Sequence, residues 1–240
     1  KGIGRTTFPQ HQTMGKEYNY QAPDPVHKIP LNRLADFEPN FNSIILTKGV
    51  KLTDLISSAP ICWTTPIVSE KLLNILIGHK LPLHSIYSVP ILHDLKPVSG
   101  YYAIHFPMLD EHLQHVDYER SRFWIAGYNP YKKIEQIRVN SVDELHSYDL
   151  QSREIRASVR AEYFSMKSSF LVDNDLFPAP MFAFPLCLYV SNELRIAIIS
   201  NRCTGMEFIH SHDRNKIWRY QPEEATLLWT NTDLLPENLS

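Results

Sequence analysis

PLCLYVSNELRIAIISNRCTGMEFIH, running from Pro185 to His210, changes its hydrophobic period twice. Leu186, Leu188 and Val190 alternate as a strand does, and the alternation stops at Ser191. A serine there suits a helix N-cap, because its hydroxyl accepts a hydrogen bond from an unpaired N–H of the first turn. Leu194, Ala197 and Ile198 then stand at i, i+3 and i+4, one face of a helix able to press on a sheet. Asn201 tolerates the left-handed backbone that ends such a helix. A second apolar run finishes at Ile209. The stretch predicts strand, short helix, strand.

An echo lies 122 residues upstream. Val68-Ser-Glu-Lys-Leu72 matches Val190-Ser-Asn-Glu-Leu194, and Leu72, Ile75 and Leu76 repeat the apolar face. Gly78 stands where a helix-ending glycine is wanted. Ile86 follows Ser69 by the same interval as Phe208 follows Ser191, whereas Leu73 against Arg195 and Asn74 against Ile196 break the match. Two readings stay open at this point: an internal repeat, or two unrelated capped helices, since two periods are too few to establish a repeat.

Residues 1–42 are polar, rich in Pro and Tyr and without sustained periodicity, an extended segment expected to run over the surface. Ser43 to Thr47 reads as a strand, and Leu52 to Ile56, with Thr53 as cap, as a short helix. Tyr101–Phe106, Arg122–Ala126 and Ile134–Val139 read as strands, the last two joined through Gly127-Tyr-Asn-Pro130. Ser141 and Glu144 have capping-box spacing ahead of a helix reaching about Leu150. Residues 153–172 fit neither period well. The expectation is an α+β fold of mixed sheets and short capped helices, with residues 43–240 as one domain and two similar lobes, 43–116 and 117–240, about a shared core.

Composition excludes several classes. A net charge of −2 and a pI near 6.6 carry no nucleic-acid footprint. No apolar run approaches the roughly 18 residues of a membrane span. Three cysteines without C-x-x-C spacing (Cys62, Cys187, Cys203) argue against a disulfide framework or a structural zinc, which points to a reducing, cytoplasmic setting. Seventeen prolines against 8 glycines imply many fixed-φ connections.

Eleven histidines invite metal chemistry. His112 and His115, among Asp110, Glu111 and Asp117, share one helical face, and His210 and His212 share one side of an extended strand end. Zinc accepts such ligands, and a metal-dependent hydrolase built on these four histidines is the alternative reading. Neither cluster is an H-E-x-x-H motif, and solvated turn residues account for both. Cys203, beside Arg202, is the one thiol whose neighbour would lower its pKa. No nucleophile elbow or phosphate-cradling glycine loop occurs. The residues therefore call for no enzyme, no cofactor and no metal. Trp124, Tyr128 and Tyr131, with Arg120 and Arg122 nearby, are of the types that anchor protein interfaces, although strand aromatics also fill cores.

Three segments in order resemble a known pattern. Asp117-Tyr-Glu-Arg-Ser-Arg-Phe123 is similar to a D-x-E-[KR]-S-x-F segment. Met181-Phe-Ala-Phe184 precedes Leu188-Tyr-Val-Ser-Asn-Glu-Leu194, which is similar to a strand entering a [FY]-[VI]-S-[ED]-x-L helix. Thr204-Gly-Met-Glu-Phe208 resembles the [TK]-G-[ILM]-x-F strand that follows it. Together they resemble family eleven of the immunity proteins in bacterial polymorphic-toxin systems, over roughly Ile67 to His210. Asn192 replaces the acidic residue after the serine, and Arg202-Cys203 occupies the turn. The resemblance implies a non-enzymatic protein that binds a cognate protein toxin and blocks it. It supplies no catalytic residues. The surface expected to meet the toxin comprises Asp117, Glu119, Arg122, Tyr128 and Tyr131.

Overall fold

The computed structural model describes residues 12–14, 18–41, 44–46, 49–56, 64–94, 96–127, 133–179, 182, 188–210 and 228–231. At 12–14, 209–210 and 228–231 the backbone alone is described. Strands β1 (Gln12–Met14) and β2 (Ile44–Leu46) pair antiparallel. Next comes a compact unit: β3 (Leu55–Ile56), β4 (Ile67–Ser69), helix α1 (Glu70–Ile77) and β5 (Ser85–Ser88). A hairpin of β6 (Ile91–His93) and β7 (Lys96–Val98) leads into β8 (Tyr101–His105). β8 inserts between β4 and β5, giving the sheet order β3-β4-β8-β5.

The middle of the chain is β9 (Val116–Gly127), β10 (Lys133–Ile137), α2 (Val142–Glu154), β11 (Ala157–Met166) and α3 (Ser168–Asp173). A second compact unit follows: β12 (Leu176–Pro178), β13 (Leu188–Val190), α4 (Asn192–Ser200) and β14 (Glu207–His210), completed by β15 (Leu228–Asn231). Its order, β12-β13-β15-β14, repeats that of the first. One difference separates them: β8 runs antiparallel to both neighbours, whereas β15 runs parallel to both. The fold is α+β, and the echo in the sequence is a structural repeat.

Each cap does what its serine predicts, and more. Ser69 Oγ accepts from Leu72 N–H at 3.2 Å and Ser191 Oγ from Leu194 N–H at 3.1 Å. Each hydroxyl also donates to an aspartate just ahead of the unit's first strand, Asp54 Oδ1 at 2.8 Å and Asp175 Oδ1 at 2.7 Å. Each serine N–H meets the same aspartate's carbonyl at 2.7 Å. These aspartates then reach across: Asp54 Oδ2 accepts from Thr204 N–H after α4, and Asp175 Oδ2 from Lys80 N–H after α1, at 2.8 and 2.9 Å. The two units are thus pinned by reciprocal junctions. A Ser191→Ala variant loses the cap and leaves Asp175 short of a donor. We expect a loss of about 2 kcal/mol in urea denaturation.

Between the units lies a common core. Leu55, Val68, Leu72, Leu76, Ile104 and Phe106 from the first meet Leu176, Leu188, Val190, Leu194 and Ile198 from the second, all essentially fully buried. Helices α1 and α4 pack together above it, so Leu72 and Leu194 fill equivalent places.

Several expectations need correcting. Residues 52–56 form no helix: Thr53 Oγ1 donates to the Leu55 carbonyl at 2.6 Å, and Leu55–Ile56 pair with β4. Gly78 ends α1 in ordinary right-handed backbone, φ −77°. Asn201 does the same for α4 at φ −84°, and the left-handed residue is Arg202 at +52°. Arg202 N–H to Ile199 O and Cys203 N–H to Ile198 O then close a Schellman motif one residue later than predicted. Ser141 caps α2, but Glu144 reaches back to Asn140 N–H, and the helix extends to Glu154.

Segment 1–42 is no mere overlay. Val26, Ile29 and Phe41 are buried in a core with β2 and β6. The two similar strand–helix–strand units lie on either side of the expected 116/117 boundary, and the second part carries more than its unit. Between the units in the chain comes the three-stranded sheet β10-β9-β11, which has no counterpart among the described residues of the first unit. It has its own aromatic core, in which Phe123, Phe164, Phe170 and Phe182 meet Phe177 and Tyr189 of the second unit. Among the described residues, no helix is long and apolar enough to cross a membrane.

Candidate functional site

The middle sheet holds three of the residues singled out for binding, Asp117, Glu119 and Arg122, all on β9. β9 is twice as long as most strands of the fold because it serves both β10 and β11. Val116 and Phe123 turn into the aromatic core with Ile125 packed against them, and Ala126 is buried on the other face. Between them the strand is bulged: Ser121 Oγ donates to Asp117 O at 2.6 Å and accepts from Ser165 N–H at 3.1 Å, replacing backbone partners. Asp117 supports the same bend, accepting from Arg120 N–H at 3.2 Å with its carboxylate 3.7 Å from Arg120 Nε. Tyr118 lies half-buried on the core side, and its hydroxyl donates to Leu113 O at 3.0 Å. Burial pushes the Tyr118 pKa up to about 12, so the phenol stays protonated.

This bend opens a groove beside the end of β10. The groove encloses about 730 Å³, and Tyr118, Glu119, Ser121 and Arg122 of β9 face Gln136 and Arg138 across it. Glu119 and Arg122 are exposed and line it, whereas the Asp117 carboxylate is engaged with Arg120 at the bend. Tyr128 and Tyr131 fall outside the described residues. Gln136 and Arg138 were not foreseen. They become visible only once the β9–β10 register, Gln136 opposite Trp124 and Ile137 opposite Phe123, sets them beside Arg122.

Trp124 belongs to a polar cluster on the solvent face. Its Nε1 donates to Glu162 at 3.0 Å, Lys133 sits over its ring, and Lys133 pairs with the same carboxylate. The Lys133 hydrogen bond is the main cause holding the Glu162 carboxyl below its usual range, against the upward push of burial, with Trp124 adding to it. Glu162 reaches both because it is the extra residue of a bulge between Ala161, opposite Phe123, and Tyr163, opposite Arg122.

The histidines go elsewhere. His112 and His115 lie on the 3-10 helix Asp110–His115, with their rings 5.3 and 5.0 Å from Phe170. Burial lowers the pKa of His112, and the His115 charge adds to that effect while Glu111 opposes it. Among the described residues, no group of three His, Cys, Asp or Glu side chains gathers as a metal site would require. The side chain of His210, and all of His212, lie outside the described residues.

Cys203 also departs from expectation. Burial pushes its thiol pKa up, with Asp54 adding to that effect, rather than Arg202 lowering it. Cys62 and Cys187 are outside the described residues.

One constellation that sequence reasoning missed looks catalytic on paper. Asp175 lies between Ser191 Oγ, at 2.7 Å, and His79 Nδ1, at 3.5 Å. The hydroxyl donates to the carboxylate and accepts the Leu194 N–H, the same two bonds that Ser69 makes with Asp54 and Leu72. It is a helix cap. The signal was present as Asp-Leu ahead of both capped helices, Asp54-Leu55 and Asp175-Leu176.

A second cavity, about 500 Å³, lies between the 3-10 helix, α2 and β11, walled by Leu113, Leu145 and Phe182 with His146 and Arg153 at its polar side. Arg153 there is already paired with Asp149 at 2.8 Å. No family model matches this chain, and neither the curated proteins nor the solved structures contain a match to it.

Proposed function

We propose that this chain is a non-enzymatic immunity protein of the cytoplasm, which binds a cognate protein toxin and blocks it by occlusion. One observation carries the reading. The Asp117–Phe123 segment, part of the resemblance to the immunity family, lies at a solvent-facing groove beside β10, an edge strand of its sheet among the described residues. β10 has one strand neighbour, β9, among the described residues, and four of its five residues are exposed. An open edge and an adjoining groove are what an extended partner segment uses, the edge for main-chain hydrogen bonds and the groove for side chains. Glu119 and Arg122 supply charged rim contacts of the kind that set partner choice.

The test is genetic and biochemical together. The C-terminal toxin domain encoded beside this chain is expressed in bacteria with and without it. Restored growth and copurification as a stoichiometric complex are expected, and Arg122→Glu is expected to weaken the complex at least tenfold. A chain that neither restores growth nor copurifies ends the proposal.

A further inference from the structure

The groove contains an electrostatic arrangement that the fold does not need. Arg122 of β9 and Arg138, the residue after the end of β10, both line the groove. Like charges gathered at one site repel unless an anion lies between them. Three other exposed arginines have a carboxylate neighbour, Asp117 for Arg120, Asp36 for Arg33 and Asp149 for Arg153, whereas Arg156 and Arg202, like the groove pair, have no ion pair among the described residues. Neither Arg122 nor Arg138 has a carboxylate within ion-pair distance among the described residues. Glu119 shares the groove without pairing with either. Glu162 feels the Arg122 charge only at longer range, and is itself engaged with Lys133 and Trp124.

From this we infer that the β9–β10 groove is a receptor for an acidic, extended segment of a protein partner, whose carboxylates bridge Arg122 and Arg138. This rests on the reading of the chain as a toxin-binding protein. Guanidinium groups take carboxylates in bidentate geometry. The amide of Gln136 and the hydroxyl of Ser121 line the same groove and offer further hydrogen bonds to the segment. Charge complementarity selects the occupant: two unneutralised cations against one anion favour an acidic strand over a neutral or basic one.

The probe is fluorescein-labelled decaglutamate, followed by anisotropy at low salt against the full chain. Binding is expected, weakening steeply as salt rises, and decaserine is expected not to bind. Arg122→Gln/Arg138→Gln should weaken decaglutamate at least tenfold while melting close to the wild type, because neither side chain holds a hydrogen bond or ion pair among the described residues. Arg33→Glu should bind as the wild type does. Equal binding of decaserine, retained affinity in the double variant, or complete displacement by inorganic phosphate at matched ionic strength would each overturn the inference. The growth assay separates the two ideas. A double variant that still protects against the toxin removes this inference and leaves the function standing. A chain that binds decaglutamate but never protects does the reverse.

Discussion

Gly205→Ala is expected to cost about 3 kcal/mol or more, lowering the melting temperature by roughly 10 °C. Two independent penalties meet at this residue. Its φ is +93°, a region where an L side chain is strained. A Cβ there would also lie 2.2 Å from the Leu55 carbonyl oxygen and 2.7 Å from the Thr53 side chain. Neither neighbour can yield easily. Leu55 N–H is bonded to Thr204 O at 3.0 Å, and Thr53 Oγ1 is held by the Leu55 carbonyl, so the clash falls on the junction between the two units. Gly100 is the control, because its φ of +79° is similar but nothing lies within 4 Å of a built Cβ. Gly100→Ala should therefore cost only the backbone strain, about 1 kcal/mol. Paired thermal melts and urea titrations check this. Equal losses at the two glycines would mean that Gly205 is not the contact point between the units.

What the sequence disclosed was local. Ser69 and Ser191, the apolar triplets behind them and the strands at Tyr101 and Ile134 were legible because caps and periodicity act within one turn or one strand. The repeat was legible only as an echo. Its proof is non-local: matching sheet orders, and two aspartates that each precede their serine by more than a dozen residues. Leu52–Ile56 was misread because five residues are too few to separate a helix period from a strand closed by its partner. The helix end at Arg202 was missed because a glycine or asparagine was the expected left-handed residue, whereas hydrogen bonds from Arg202 and Cys203 hold an arginine there. At the groove, Glu119 and Arg122 were found by residue type. Arg138 needed the register, which no spacing along one strand reveals. Asp117 shows the opposite failure: an acidic residue chosen for binding is occupied in shaping the strand.

The Asp54→Ala/Asp175→Ala double variant is the other large effect, and it carries a pH signature. Burial pushes each carboxyl up. For Asp54, hydrogen bonds from Ser69, Lys71 and Thr204 outweigh that push; for Asp175, those from Lys80 and Ser191, with the nearby His79, do the same. Both therefore sit below the ordinary aspartate value. A group whose folded pKa is depressed stabilises fully above its unfolded pKa, and that stabilisation is lost as pH falls through the folded value. The window thus opens near pH 4, the unfolded value, and extends downward. Each carboxylate is largely shielded, 13% and 16% exposed. Lys71, by contrast, is 48% exposed, so its ion pair contributes little, and the hydrogen-bonded N–H and O–H groups carry the effect. Truncating one aspartate leaves a serine hydroxyl and a backbone N–H from the other unit without their acceptor, at about 2–3 kcal/mol. Removing both should cost about 5 kcal/mol at pH 7, a large share of a typical domain's stability. As pH drops from 5 to 2 the wild type should lose stability faster than the double variant, until the two curves approach one another. A gap that stays constant across that range would show that the carboxylate charge does not hold the two units together.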